Sequence, residues 1–339
     1  MHRAIKYLVG LLILVCTGIL FAVAPDYVSI GNPIRESLQN KKDIHSASAK
    51  TASSELLFEE RVEHSQREEI YTYAFTGSAD ESVVFYWENL AEEIRYGVNI
   101  ELTGPTGEVV PSARYPVLAV DEIYPEESEG MAFAFALPTT GEYRLNFRIS
   151  RSRRQPEIDL PEVAEHLLRL RRASGYEHFM IVANTLFESE AFEQAVSAYE
   201  LAIQANPNGY EAYFWQTYAY GQASLVSLDH AEEIAEIQQT IGQQIDAAPS
   251  SQTGALTLEA VYLSFQLLDA EEQEAVIRNL EELSRLAATL PDSEELSADP
   301  SDLMFYTDAI ALLQTGVASE YLAENYDFLY YFFLSRRYG

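Results

Sequence analysis

Six histidines are the first place to look for chemistry: His2, His45, His64, His166, His178 and His230. No two of them stand at a metal-ligand spacing, and the one cysteine, Cys16, lies in an N-terminal apolar run. The chain has no glycine-rich phosphate loop, no nucleophile elbow and no HExxH helix. Carboxylate pairs are plentiful, but the formal net charge is −31, so pairs such as Glu232-Glu233 and Glu271-Glu272 read as exposed helix faces. The expectation is a protein that is not an enzyme, with no catalytic set, no metal and no cofactor.

What remains is the chemistry of recognition. The candidates for contact with a partner are Tyr176, Phe179, Asn184, Tyr210, Tyr213, Gln216, Thr217 and Tyr220, the residues that the first helix of each helical pair would present if this part of the chain is the repeat it resembles. Asn184 and Tyr213 lead that set. An asparagine on an inner helix face can hold an extended peptide backbone through its amide, and it can equally be a surface polar residue.

These candidates depend on helices to position them. Val182, Ala183, Leu186 and Phe187 recur at helical spacing, as do Ala195, Val196, Tyr199, Ala202 and Ile203. Glu188-Ser189-Glu190 breaks the two runs, and Asn206-Pro207 closes the second, because the residue before a proline is pushed out of the helical region. Ala195 and Ala202 lie seven apart and let two helices approach closely. This stretch, 176–207, resembles the tetratricopeptide repeat, a helix-turn-helix unit of about 34 residues. Ala202, Tyr199 and Ala195 occupy the small, aromatic and small places of its second helix, with Phe192 as the aromatic at the turn. Phe179, Val182 and Ala183 take the Trp, Leu and Gly places of the first helix. Leu186 replaces the usual Tyr, and Glu190 replaces the usual turn Gly. The resemblance covers about a tenth of the chain and implies an array whose first helices line a concave face for a protein or peptide. Pro207, Pro249 and Pro291 are spaced 42 apart. With them, periodicity places helices near 210–224, 228–247, 252–268, 270–289, 301–315 and 317–335. The last carries an aromatic cluster, either a buried cap or an exposed patch. A further helix is expected at 161–173, opened by Pro161.

Before the helices the period changes to two. Tyr71, Tyr73 and Phe75 alternate with smaller residues, as do Val83, Phe85 and Trp87; Val98, Ile100 and Leu102; Met131, Phe133 and Phe135; and Tyr143, Leu145, Phe147 and Ile149. Glycine- and proline-rich turns separate them, which predicts a small antiparallel β-sandwich over 67–155. The segments YTYAFTG, VNIELTGPTGEVV and FALPTTGEYRLNF resemble the bacterial pre-peptidase C-terminal domain, a β-sandwich of exported proteins. That resemblance implies an accessory module; the acidic run many members carry is absent, so no calcium site follows. The fold expected is therefore multi-domain β + α: a sandwich, then a TPR-like helical domain at 156–339.

Residues 7–24 contain no charge, just enough to span a bilayer, and Arg3 and Lys6 precede them. The segment reads as an uncleaved anchor, a cleaved signal or a lipoprotein signal, and all three export the rest of the chain. Residues 25–66 are polar and read as a flexible linker. The balance of charge excludes nonspecific nucleic-acid binding, which needs basic surface. From residue 173 to 277 there are sixteen Asp and Glu and no Lys or Arg, whereas Arg144, Arg148, Arg151, Arg153, Arg154, Arg169, Arg171 and Arg172 crowd just before. Either an acidic groove attracts a basic partner, or the surface is merely solvated and the arginines pin the sandwich to the first helices. The function expected is a membrane-tethered extracytoplasmic scaffold or adaptor that binds a protein or peptide. The alternative is an envelope-polymer or carbohydrate binder acting through Tyr86, Trp87 and Tyr96 of the sandwich.

Overall fold

The computed structural model describes residues 55–64, 68–90, 96–115, 130–151, 164–226, 231–247, 252–287 and 300–334. The apolar run 7–24, residues 25–54 of the expected linker and the Tyr96 side chain lie outside the described residues.

Among the described residues eight strands form two antiparallel sheets of four. They are β1 (Leu56–His64), β2 (Glu68–Gly77), β3 (Ser82–Asn89), β4 (Tyr96–Thr103), β5 (Val109–Val110), β6 (Met131–Ala136), β7 (Gly141–Arg151) and β8 (Ala164–Arg172). One sheet runs β1-β8-β3-β6 and the other β2-β7-β4-β5. The alternation in the sequence sets the register of the second sheet. Tyr71 stands opposite Phe147, Tyr73 opposite Leu145 and Phe75 opposite Tyr143. Across the other edge of β7, Val98, Ile100 and Leu102 stand opposite Ile149, Phe147 and Leu145. These side chains meet Val83, Phe85, Leu168 and Leu170 of the first sheet in one core, where the Phe85 and Phe147 rings lie 4.9 Å apart.

The structure corrects two expectations here. Leu56–His64, assigned to the linker, is β1, and the stretch expected to be a helix at 161–173 is largely β8. β8 lies between β1 and β3, paired with both. Its sequence AEHLLRLRR does not alternate because both of its faces are covered. Leu168 and Leu170 face the other sheet, while the opposite face carries Leu167, Arg169 and Arg171, all buried. Read alone, that string satisfies a helical period as well as a strand. The pairing partners decide it.

The helices are α1 (Gly175–Glu188), α2 (Phe192–Ala205), α3 (Tyr210–Val226), α4 (Ala231–Ala247), α5 (Thr253–Phe265), α6 (Ala270–Ala287), α7 (Pro300–Thr315), α8 (Glu320–Glu324) and α9 (Asp327–Phe333). The expected segment at 317–335 is two short helices, broken at Asn325 and Tyr326. No described helix is long and apolar enough to cross a membrane.

The turn between α1 and α2 explains a departure in the sequence. Glu190 has φ 61, a left-handed conformation that L side chains adopt at a cost of about 1–2 kcal/mol. The Glu190 N–H donates to the Phe187 carbonyl and the Ala191 N–H to the Leu186 carbonyl. That is the Schellman closure of a helix, which usually takes glycine at this position.

α1 packs on the outer face of the first sheet. Val84, Ala134 and Ala136 of β3 and β6 share a core with Met180, Ile181, Ala183, Leu186 and Phe187 of α1. Sheets and helices therefore share buried surface at this junction. Beyond α3 the helices stop stacking in simple chain order. α6 lies against α3, and α9 packs on α3 and α5. Phe332 and Phe333 are buried, and a Cβ at Gly221 of α3 would sit 2.0 Å from the Phe332 carbonyl oxygen. The aromatic terminal helix is thus largely a cap.

Candidate partner-binding cleft

The junction of sheet and helices absorbs several of the residues that looked functional. Arg171 at the end of β8 and Glu177 in the first turn of α1 form an ion pair with both side chains 0% exposed. The Arg171 Nη1 donates to Glu177 Oε2 at 2.6 Å and Nη2 to Oε1 at 2.7 Å, a bidentate fork. Tyr115 closes the triad: its hydroxyl accepts from Arg171 Nη2 at 2.8 Å and donates to Glu177 Oε1 at 2.6 Å.

Asn184 belongs to a second latch. Its Oδ1 accepts from Arg114 Nη2 at 2.7 Å and from the Tyr199 hydroxyl at 2.7 Å, and its Nδ2 donates to the Arg114 carbonyl at 2.8 Å. Burial pushes the Tyr199 hydroxyl up. The Arg114 guanidinium lies 3.3 Å from the centre of the Trp215 ring, a cation–π contact. The His178 Nδ1 is 3.0 Å from the Ser82 hydroxyl. Asn184 is fully buried, so it holds this chain's own loop in place of a partner's backbone. Of the arginines crowded at the charge boundary, Arg171 ties the sheets to α1, while Arg148, Arg169 and Arg172 pair with glutamates of the sheet region itself. Arg114, from outside that cluster, makes the second tie to α1.

The other candidates separate into two groups. Thr217 is buried with its hydroxyl donating to the Tyr213 carbonyl, and Tyr210 shares a hydroxyl contact with Tyr306. The Tyr176 ring packs on Gly209, where a Cβ would come within 2.4 Å. Phe179 is half-buried beside His178. None of these four lines the cavity between α2, α3 and α6. Tyr213 lines it and Gln216 is hydrogen-bonded to two of its lining residues, while Tyr220 is half-buried against the helical core.

That cavity is a cleft of about 410 Å³ lined by Glu200 and Ile203 of α2, Pro207, Tyr213 of α3, and Arg278, Asn279, Glu282 and Arg285 of α6. Its volume is in the range of small-ligand and peptide pockets, roughly 300–1,000 Å³. The Tyr213 hydroxyl donates to the Pro207 carbonyl at 3.1 Å. Burial, then the Glu282 charge, pushes that hydroxyl's pKa up. Behind the wall runs a line of amides. Gln216 Nε2 donates to the Val196 carbonyl at 3.1 Å and to Glu200 Oε2 at 3.3 Å, and Gln216 Oε1 accepts from Asn279 Nδ2 at 2.9 Å.

Sequence reasoning found Tyr213 and Gln216 but missed Arg114, Tyr115, Glu177, Arg278 and Asn279. Arg278 carried a signal, as the first base after the long stretch without any. Tyr86 and Trp87, the aromatics of the polymer-binding alternative, are buried and present no exposed ring face. Among the described residues no three His, Cys, Asp or Glu side chains gather into a metal site. Comparison with protein-family models, with curated proteins and with solved structures finds no match to this chain.

Proposed function

We propose that this protein is a scaffold or adaptor without catalytic chemistry, tethered to a membrane through residues 7–24 with its folded part on the extracytoplasmic side. In this reading the helices are a degenerate TPR-like array behind a β-sandwich, and a protein or peptide segment docks in the cleft between α2, α3 and α6. The observation that carries it is the cleft itself, open beside the second helix of the repeat-like hairpin and walled by Tyr213, Glu200 and Asn279. The left-handed turn at Glu190 supports the repeat assignment. The sandwich works as a rigid mount, because Arg171, Glu177, Tyr115 and Asn184 fasten it to α1.

Photo-crosslinking on the intact chain in its native membrane tests this. Benzoylphenylalanine in place of Arg285, at the cleft, should capture a discrete protein identifiable by mass spectrometry. The same residue in place of Ile70, exposed on the outer sheet, should not. Capture through position 70 with silence at 285 would move the binding function to the sheets and sink the cleft reading.

A further inference from the structure

The cleft leaves two groups unmatched. Asn279 is 0% exposed, and its Oδ1 has no hydrogen-bond partner. Its orientation is not arbitrary. The Val196 carbonyl can only accept, so Gln216 must turn Nε2 toward it, and Gln216 Oε1 then requires the Asn279 NH2 group. Asn279 Oδ1 is left as a buried acceptor, and a buried polar atom of this kind calls for a donor. Asn279 is one of the residues that line the cleft, so a donor seated there is the one a bound partner would supply.

The second group is Arg278. Around the cleft, Arg285 is paired with Glu282 at 2.6 Å, and Glu200 accepts from Gln216 and Gln204. Arg278 makes no ion pair among the described residues and is exposed at the rim. An N–H donor beside an anion is the chemistry that completes both.

Resting on the reading of the helical array as a binding module, we infer that the α2/α3/α6 cleft recognises an extended peptide carrying an acidic side chain, with a backbone N–H given to Asn279 Oδ1 and the carboxylate held by Arg278. The charge of the whole chain, −31, acts differently. It favours encounter with a segment that is basic overall, while the local pair selects one acidic residue within it.

The test is selection of a phage-displayed random dodecapeptide library on the intact chain, followed by anisotropy titration of the selected peptides. The expected result is a set with Asp or Glu at a fixed position. Changing that residue to its amide should weaken binding about fivefold, the upper range for an exposed pair. Arg278→Gln should weaken it equally, and the two changes together should weaken it no further. Asn279→Leu should cost about tenfold or more, matched by N-methylation at one peptide position. Arg278 is exposed, so its variant keeps the test valid if Asn279→Leu lowers stability. Peptides that lack an acidic residue, or whose binding Arg278→Gln leaves unchanged, overturn this inference and leave the peptide-binding reading standing. Unchanged binding to Asn279→Leu means that a buried water satisfies Oδ1, and that also overturns it. A library that yields no binder, or binders that contact only the sheets, overturns both.

Discussion

Glu177→Gln removes one charge of the buried pair and keeps the size of the side chain. Arg171 then loses its one buried anionic partner in the triad and keeps the Tyr115 hydroxyl, 2.8 Å from Nη2, while its guanidinium stays 0% exposed. A neutral amide and a phenol cannot offset a buried cation, and breaking such a pair costs about 3–5 kcal/mol. For a cooperative unit of this size, about 2–4 °C of Tm goes with each kcal/mol, so the midpoint should fall by about 6–20 °C. The pair joins β8 to α1, so its loss should also uncouple the two halves. The chain's two tryptophans provide the assay, with Trp87 in the sheets and Trp215 on α3. In urea, Trp87 fluorescence (in a Trp215→Phe background) and helical ellipticity at 222 nm should have coincident midpoints in the parent and separate ones in Glu177→Gln. Replacing both partners, Arg171→Met with Glu177→Leu, should recover most of the loss. What remains is the loss of Tyr115's two hydrogen bonds to the pair, about 1–3 kcal/mol. A Glu177→Gln protein within about 1 kcal/mol of the parent, with coincident midpoints, would refute the claim that this pair holds sheets and helices together.

The remaining expectations concern single positions. Asn184→Leu leaves the Tyr199 hydroxyl and the Arg114 guanidinium without their shared acceptor and should destabilise by about 1–3 kcal/mol in urea melts. Glu190→Gly relieves the left-handed strain and should be neutral to stabilising by up to about 1 kcal/mol by thermal melt, where an ordinary exposed helix-end Glu→Gly would destabilise. Gly221→Ala drives a methyl into the Phe332 carbonyl and should cost about 1–3 kcal/mol, loosening α9 by hydrogen exchange. Burial raises the Glu108 pKa, but hydrogen bonds from Thr106, its own backbone and Thr139 outweigh that and hold it below the ordinary value. Its folded pKa is thus depressed relative to the unfolded chain, so its stabilisation is present above the unfolded pKa and fades as pH falls through the folded one. Acid denaturation of Glu108→Gln should accordingly be shallower than that of the parent.

Much of the architecture is written locally in the chain. β2, β4 and β7 have one face in the core and one in solvent, so their alternation is plain and their pairing follows from it. The helices from α3 to α7 lie within a few residues of where periodicity and the prolines place them. β8 and β1 were illegible for a physical reason. β8 is covered by the other sheet on one side and is also buried on its opposite face, where Arg171 meets Glu177 of α1, so its apolar residues do not alternate. β1 is an edge strand whose charged sequence FEERVEH resembles a linker. The candidate site was half legible. Tyr213 and Gln216 came from the helical face they share. Asn184 misled because a polar residue on an inner face looks the same whether it meets a partner or, as here, Arg114 from a loop 70 residues earlier. Asn279 could not be found from the sequence, because its orphaned oxygen exists only once α6 lies against α3.

The most direct measurement is hydrogen–deuterium exchange on the intact chain, free and joined to whatever position 285 captures. Docking in the cleft predicts slowed exchange at the facing segments of α2, α3 and α6, near residues 196–216 and 275–285, with β2 and β7 unchanged. Protection confined to the outer faces of β2 and β7, with none on α6, would contradict the account.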